Sequence, residues 1–228
     1  MSDDVQPETG LPEDVRPDAP RPDLSRPELS RPDLSRHGPR VFVETVEELG
    51  DDDLAALCEA TDAAILDGGG FGWINPPGRR SLESYYRGVL LVPERELLVV
   101  RLDGLLVGSA HLVKPPRNNE AQSFAAHLMH SFVAPYARGH GLATMLTQGV
   151  EARARELGYH VLNLDVRETQ AAAIRLYESL GYERWGTHPD YALVRGKVIR
   201  GFYYCKRLRQ RRNQASDPQA SDLPASDP

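Results

Sequence analysis

The sequence is poor in cysteine. Its 228 residues include two, Cys58 and Cys205, and they do not form a Cys-x-x-Cys spacing. Disulfide frameworks and zinc sites are recognised by several closely spaced ligand residues. We therefore predict neither a disulfide nor a metal site.

Long apolar runs are also missing. No stretch approaches the ~18 apolar residues that a membrane-spanning helix requires, and no secretory signal peptide is recognisable. The chain has 27 Lys and Arg against 33 Asp and Glu, a net charge of −6, and carries no zinc-finger or aromatic-basic RNA motif. We therefore expect a cytoplasmic protein that has neither a membrane nor a nucleic acid as its partner.

Both ends of the chain consist of short repeats. Residues 16–35 repeat Arg-Pro-Asp or Arg-Pro-Glu, and residues 214–228 repeat Ala-Ser-Asp. Proline in every N-terminal repeat blocks helix and sheet, and so few apolar residues cannot offset the entropy cost of ordering the chain. We predict disordered tails at 1–40 and 209–228, and one folded domain at 41–208.

The predicted domain alternates short strands with amphipathic helices. Asp103-Gly104 marks a tight hairpin, whereas the strand, helix and strand between 123 and 166 form a crossover that makes those two strands parallel. Ser81 and Thr169 are predicted to cap the second and fourth helices. Strands are expected at 41–45, 97–102, 105–113, 123–133, 160–166, 183–187 and 201–206, and helices at 51–66, 81–89, 141–157 and 169–180. The fold class is α/β (α+β), with a mixed, mostly antiparallel sheet.

Two loops are candidate functional segments. The loop 67–78 is rich in glycine and contains Phe71 and Trp73, so it is either a flexible linker or the rim of an active site. The second loop opens the third helix and reads Arg138-Gly139-His140-Gly141-Leu142-Ala143. Its glycines let helix N-terminal N–H groups approach an anion, and its arginine suits phosphate oxygens. Since neither the P-loop nor the dinucleotide glycine pattern is present, we predict a pyrophosphate site of another kind.

Arg138 to Ala143 follows an Arg-x-x-Gly-x-Ala pattern that resembles the acyl-CoA pyrophosphate motif of the GNAT superfamily of N-acyltransferases. Residues 170–182 resemble the later GNAT signature Asn-x-x-Ala-x-x-Leu-Tyr-Glu-x-x-Gly-Phe, although Gln170 and Tyr182 replace its first and last residues. The matching positions are Ala173, Leu176, Tyr177, Glu178 and Gly181. The two motifs occur in the family's order with one strand between them.

The resemblance implies that acetyl-CoA is the co-substrate and that the acceptor is the amine of a small molecule, such as an amino acid or an amino metabolite. Backbone N–H groups near Phe132 and Val133 would polarise the thioester carbonyl as it becomes an oxyanion, and Gln170 would contact the pantetheine arm. Tyr177 would be the general acid that protonates the leaving thiolate. The pyrophosphate would bind Arg138, Gly139, His140, Gly141, Leu142 and Ala143.

Neither motif identifies the base that deprotonates the acceptor ammonium. The candidates are His127, His130, Asp165 and Glu168, with bulk water as the alternative. Because histidine titrates near neutral pH, we predict His130. Strand alternation places His130 with Phe132 on one face of the sheet and His127 with Val133 on the other.

Other functions stay open at this point. A protein lysine or N-terminal acetyltransferase would need an open groove rather than a closed pocket. A non-catalytic acyl-CoA-binding module would not need the phenol of Tyr177. The basic run at 206–212 leaves a nucleic-acid adaptor open, and the sequence is also compatible with a homodimer.

Overall fold

The computed structural model describes residues 38–69 and 71–208. The predicted tails therefore lie outside the described residues, apart from residues 38–40. The elements in chain order are β1 (Val41–Val46), α1 (Asp51–Leu66), α2 (Arg79–Leu90), β2 (Arg95–Leu102), β3 (Leu105–Val113), β4 (Ala125–Val133), α3 (Leu142–Glu156), β5 (Val161–Arg167), α4 (Ala171–Ser179), β6 (Glu183–Val194) and β7 (Lys197–Arg207). None of the helices in this part of the chain is long and apolar enough to cross a membrane.

The seven strands form one sheet in the order β1-β2-β3-β4-β5-β7-β6. Among the described strands, β4 and β5 are the parallel pair, and the other neighbours are antiparallel. The predicted mixed, mostly antiparallel sheet is confirmed. The parallel ladder pairs Ala125 with Val161 and ends at His127 beside Asn163, so β4 and β5 separate beyond that point.

The sheet divides two apolar cores. On one face, α3 buries a stripe with a spacing of four residues, Leu142, Leu146, Val150 and Ala154, as an amphipathic helix requires. On the other face, α1 and α2 pack against the sheet through residues such as Leu57. Burying one leucine or valine side chain contributes roughly 1.5–3 kcal/mol. The buried apolar side chains on each face therefore hold a layer of helices on the sheet.

A β-bulge interrupts β4 beside the point where the strands separate. Ser109 of β3 pairs with Phe132, and His111 pairs with Met129, so one β3 residue opposes two residues of β4. The bulge contains His130, whose φ is 50°. It reverses the strand's alternation, because an extra residue shifts every later side chain to the opposite face.

The bulge corrects one prediction about faces. His130 and Phe132 lie on the same side, since both contact Phe71. However, Val133 packs with Leu128 in the core beneath α3, so it does not share a face with His127. The prediction for Val133 was wrong because strict alternation cannot be counted through a bulge.

Several element ends also differ from the predictions. Helix α2 begins at Arg79 with Gly78 as its N-cap residue, and α4 has Gln170 at that position, so neither Ser81 nor Thr169 is the cap. Strand β6 continues beyond the predicted 183–187 to Val194, and β7 begins at Lys197, ahead of the predicted 201–206. The apolar spacing of α4 predicts an inner face of Ala172, Ala173, Leu176 and Leu180. This face is only partly buried, and Ala172 is exposed, because most of the face lines a cleft.

Candidate active site

A cleft of about 470 Å³ opens where β4 and β5 separate, with α4 as one wall. It is lined by many of the residues predicted to bind acyl-CoA, namely Phe132, Val133, Arg138, Ala143 and Gln170, and by Tyr177. We call it the acyl cleft. It brings the end of β4, the start of α3 and the start of α4 to one place, although these segments are distant in the sequence.

The start of α3 provides unpaired backbone donors at one end of the acyl cleft. The first N–H groups of a helix have no partner within the helix, and the helix dipole favours an anion beside them. Gly139 and Gly141 both have positive φ angles, 92° and 71°, which a side chain would oppose. The side chain of Leu142 is 2% exposed and belongs to the core under α3, so that residue offers a ligand its backbone alone.

Arg138 already has a partner in this structure. Its Nη2 atom lies 2.7 Å from a carboxylate oxygen of Asp67, and both side chains are about half exposed. Gln170 donates from Nε2 to the carbonyl oxygen of Gly68, at 3.1 Å. Two predicted cofactor-binding side chains thus hold the first residues of the glycine-rich loop.

Tyr177 is buried at the inner end of the acyl cleft. Burial raises the pKa of its phenol to about 12, while a hydrogen bond to Ser131 acts in the opposite direction and the charge of Asp165 raises it further. The phenol is therefore protonated at neutral pH, as a proton donor must be. Its ring packs edge-on against Tyr182, with centroids 5.6 Å apart, which restrains its position.

A second cavity of about 440 Å³ adjoins the acyl cleft. We call it the side pocket. Its walls come from the glycine-rich loop, β4, β5 and β6, and include Phe71, His130, Asp165, Arg167 and Tyr191. Both cavities are lined by Ser131, Gln170, Ala173 and Tyr177. A molecule in the side pocket would consequently meet one in the acyl cleft beside the phenol of Tyr177.

His130 lies in the wall of the side pocket. Its Nδ1 atom is 2.8 Å from the Tyr85 hydroxyl oxygen and 3.4 Å from Nδ1 of His111. Burial lowers the pKa of His130, the positive charge of Arg95 lowers it further, and Asp165 opposes them. The imidazole is therefore neutral at neutral pH, and it can accept a proton at Nε2 when Nδ1–H donates to the Tyr85 oxygen.

The structure separates the four candidate bases into two pairs. His130 and Asp165 line the side pocket, and Asp165 accepts a hydrogen bond from the Tyr191 hydroxyl. Glu168 instead forms an ion pair with Arg200 at 2.7 Å, and His127 is exposed outside both cavities. The second pair therefore lacks contact with this site.

The glycine-rich loop is a rim rather than a flexible linker where it meets the pocket. The Phe71 side chain is 5% exposed and stacks on His130 with centroids 5.6 Å apart. Arg167 donates from Nη2 to the carbonyl oxygens of Gly69 and Phe71, at 2.5 and 3.3 Å. These contacts attach the loop to His130 of β4 and to Arg167 at the end of β5.

A family model described as the Acetyltransferase (GNAT) family matches residues 66–182, which is just over half of the chain. The matched region contains all the residues that line the acyl cleft except Ala64, together with both sequence motifs and Tyr177. This chain belongs to the GNAT family. It is an acyltransferase of the N-acetyltransferase type, as the names of its relatives also indicate.

Relatives and solved structures agree with the GNAT assignment. An uncharacterized N-acetyltransferase from the hisH-hisA intergenic region of Azospirillum brasilense is 61% identical over 130 residues, covering 57% of this chain and 77% of that protein. The Salmonella typhimurium protein yncA, solved with its cofactor acetyl-CoA, has a TM-score of 0.61 at 21% identity and covers 79% of this chain and 99% of that one. A phosphinothricin acetyltransferase from Sinorhizobium meliloti, in complex with acetyl-CoA, has a TM-score of 0.62 at 19% identity, covering 81% and 96%. At these identities the two structures show a shared fold.

Sequence reasoning missed three residues of this GNAT site. Tyr85 comes from α2 and gives no local signal. Arg167 lies one residue beyond the strand predicted at 160–166, and no motif includes it. His111 interrupts the mostly apolar strand β3, and a buried histidine in such a run is a signal that a polar neighbour is present.

Proposed function

We propose that this GNAT enzyme transfers the acetyl group of acetyl-CoA to the primary amine of a small molecule, with Tyr177 as general acid and His130 as general base. The observation that supports it most directly is that the acyl cleft and the side pocket meet at Tyr177. The predicted cytoplasmic location is part of the same proposal.

The chain's own residues fit acetyl-CoA, which supplies an acetyl thioester. The free N–H groups at the start of α3 suit a pyrophosphate, and Arg138 adds a cation once it leaves Asp67. The backbone at Phe132 and Val133 lies along the acyl cleft, where N–H groups would stabilise charge on the thioester oxygen.

The proton balance assigns a role to each catalytic side chain. The acceptor ammonium loses one proton to His130 so that its nitrogen can attack. The C–N bond then forms as the C–S bond breaks, and Tyr177 donates its phenolic proton to the departing sulfur. The second proton lost by the nitrogen restores the phenol of Tyr177, so one proton per turnover leaves through His130.

The shape of the side pocket favours a small acceptor over a protein. It is walled by the glycine-rich loop, β4, β5 and β6, and its volume of about 440 Å³ falls in the range of ~300–1,000 Å³ that is usual for small-molecule sites. A lysine side chain or protein N-terminus would need an opening on one of these sides. A non-catalytic module would not need a buried phenol where two cavities join.

The test is release of CoA thiol from acetyl-CoA by the full-length chain in the presence of pooled amino acids, polyamines, aminoglycosides or a lysine peptide. We expect amine-dependent release that falls at least tenfold in Tyr177→Phe. Tyr136→Phe is the matched control, because Tyr136 is exposed and lines neither cavity. Release only with the lysine peptide would replace the small-molecule acceptor with a protein, and undiminished release in Tyr177→Phe would remove Tyr177 as the acid.

A further inference from the structure

The side pocket carries a positive and a negative group on one strand. Asp165 and Arg167 both line it, two residues apart on β5. Leu164 and Val166 point into the core beneath α3, so alternation places Asp165 and Arg167 on the opposite face, about 6.6 Å apart along the strand. The two charges therefore face the same cavity side by side.

Arg167 is the cation among the described residues that line the side pocket. None of the ion pairs within residues 38–69 and 71–208 involves it, although its side chain is partly buried. Nη2 donates to the carbonyl oxygens of Gly69 and Phe71. A guanidinium has five N–H donors, so Nε and Nη1 retain three of them. Both two-donor forks of a guanidinium include Nη2, so these three donors would bind a carboxylate through single, charge-assisted hydrogen bonds.

Asp165 is the negative group of the side pocket. It accepts the Tyr191 hydroxyl hydrogen bond and keeps acceptor positions for a cation, since a carboxylate has about four lone-pair sites. Its negative charge acts on both His130 and Tyr177. Asp165 is thus the charged group that acts where an amine would react, whereas Arg167 is not among the charges that shift these two pKa values.

We propose that the acceptor is an α-amino acid, bound as a zwitterion with its carboxylate on Arg167 and its ammonium between Asp165 and His130. The inference rests on the proposed function, because it uses the same pocket and the same base. The ammonium and the carboxylate groups of an α-amino acid are attached to the same carbon. One small molecule can therefore pair with both Asp165 and Arg167. The pocket supplies no second unpaired cation among its described lining residues.

The remaining walls indicate what kind of side chain such an amino acid carries. They include the apolar side chains of Phe71, Ile74, Met129 and Leu193. Burial of apolar surface against these walls contributes roughly 25 cal/mol per Å². An uncharged, apolar amino-acid side chain is therefore expected to bind better than a charged one.

The experiment compares each L-amino acid with its α-amide, which keeps the amine and removes the carboxylate charge. Acetylation is followed by CoA release, and binding to the full chain saturated with CoA is followed by calorimetry. We expect at least a tenfold preference for the acid in kcat/KM and in affinity. Arg167→Gln should abolish this preference, Arg167→Lys should keep part of it, and Arg175→Gln on the exposed side of α4 should leave it unchanged.

This experiment distinguishes failure of the zwitterion site from failure of the proposed activity. Amino-acid binding that depends on Arg167, without CoA release from any amine, would support the zwitterion site and contradict the proposed activity. Equal use of acids and amides, or acetylation of polyamines and peptides without any of amino acids, would overturn the zwitterion site and leave the activity standing. A melting curve shows whether Arg167→Gln is folded. If it is not, the acid-to-amide ratios of the native chain and of Arg167→Lys test the zwitterion site.

Discussion

The Nδ1 atom of His130 lies 2.8 Å from the hydroxyl oxygen of Tyr85, which links the bulge of β4 to helix α2. His130 has a positive φ of 50°, and holding a non-glycine residue there costs on the order of 1 kcal/mol. The ring is packed against Phe71 and lies edge-on to His111. Tyr85 therefore determines which ring nitrogen of His130 is left for the side pocket.

Replacing Tyr85 with phenylalanine tests this link. The ring stays in place and the hydrogen bond is lost, which is worth about 1 kcal/mol, or roughly a fivefold change. We expect kcat to fall about fivefold with the KM for acetyl-CoA unchanged, measured by CoA release at saturating amine. A parallel loss of acetyl-CoA affinity would show instead that the substitution disturbs the acyl cleft, and Tyr136→Phe provides the unaffected reference.

His111 makes the stability of the protein dependent on pH. It is fully buried, and burial, followed by repulsion from His130 when that ring is protonated and from Arg95, lowers its pKa to about 3. In the unfolded chain a histidine has a pKa of about 6.5. Between these values the unfolded state binds a proton that the native state does not, so the free energy of unfolding falls as the pH drops from about 6.5 toward 3, by about 1.4 kcal/mol per pH unit.

The substitution His111→Leu should reduce this dependence, and the lowered pKa of His130 leaves a remainder of the same sign. We expect the native chain to lose about 2 kcal/mol more stability than His111→Leu between pH 7 and pH 5, measured by urea unfolding. The exposed His127→Gln variant should follow the native chain. Identical slopes for all three proteins would contradict a neutral His111 in the folded state.

Much of this fold follows from local patterns. The hairpin at Asp103, helix α1 and the third helix were predicted within a few residues, since turn residues and apolar spacing mark them. The order of elements then required β4 and β5 to be parallel. Two motifs with fixed spacing were enough to place Tyr177 and the start of α3 in one site.

Local sequence patterns do not predict the geometry of the site. The sequence around His130 contains no glycine to mark a bulge, so the reversal of faces at Val133 depends on how β3 pairs with β4. The contacts of His130 with Tyr85 and His111 join residues 45 and 19 positions apart. Such contacts depend on tertiary packing, which residue spacing within one strand or helix does not report.

The ion pair between Arg138 and Asp67 predicts that the native chain restrains its own cofactor site. An exposed pair of this kind contributes at most about 1 kcal/mol, which sets the size of the effect. Asp67→Asn should release Arg138 and tighten CoA binding by up to about fivefold, measured by calorimetry. Arg138→Gln should weaken it, and the double variant should resemble Arg138→Gln. Weaker binding by Asp67→Asn alone would contradict the competition.

The last prediction concerns Gly108, where β3 approaches the end of β4. A Cβ atom at this position would lie 2.5 Å from the carbonyl oxygen of Phe132 and 3.0 Å from Cα of Val133. Both are backbone atoms, so an alanine must displace the strand rather than rotate a side chain. This is the segment whose N–H groups we assign to the thioester carbonyl.

Gly108→Ala should therefore reduce catalysis as well as stability. Overpacking in a core costs about 1–3 kcal/mol, seen as a lower urea midpoint, and a shifted donor should lower kcat by at least tenfold while amino-acid binding at Arg167 persists. Gly186→Ala is the matched control, because its nearest contact is the Tyr203 ring at an ordinary 3.6 Å. If Gly108→Ala lost stability but kept its full kcat at a temperature where it is folded, the backbone at Phe132 and Val133 would not be the group that stabilises the reacting carbonyl.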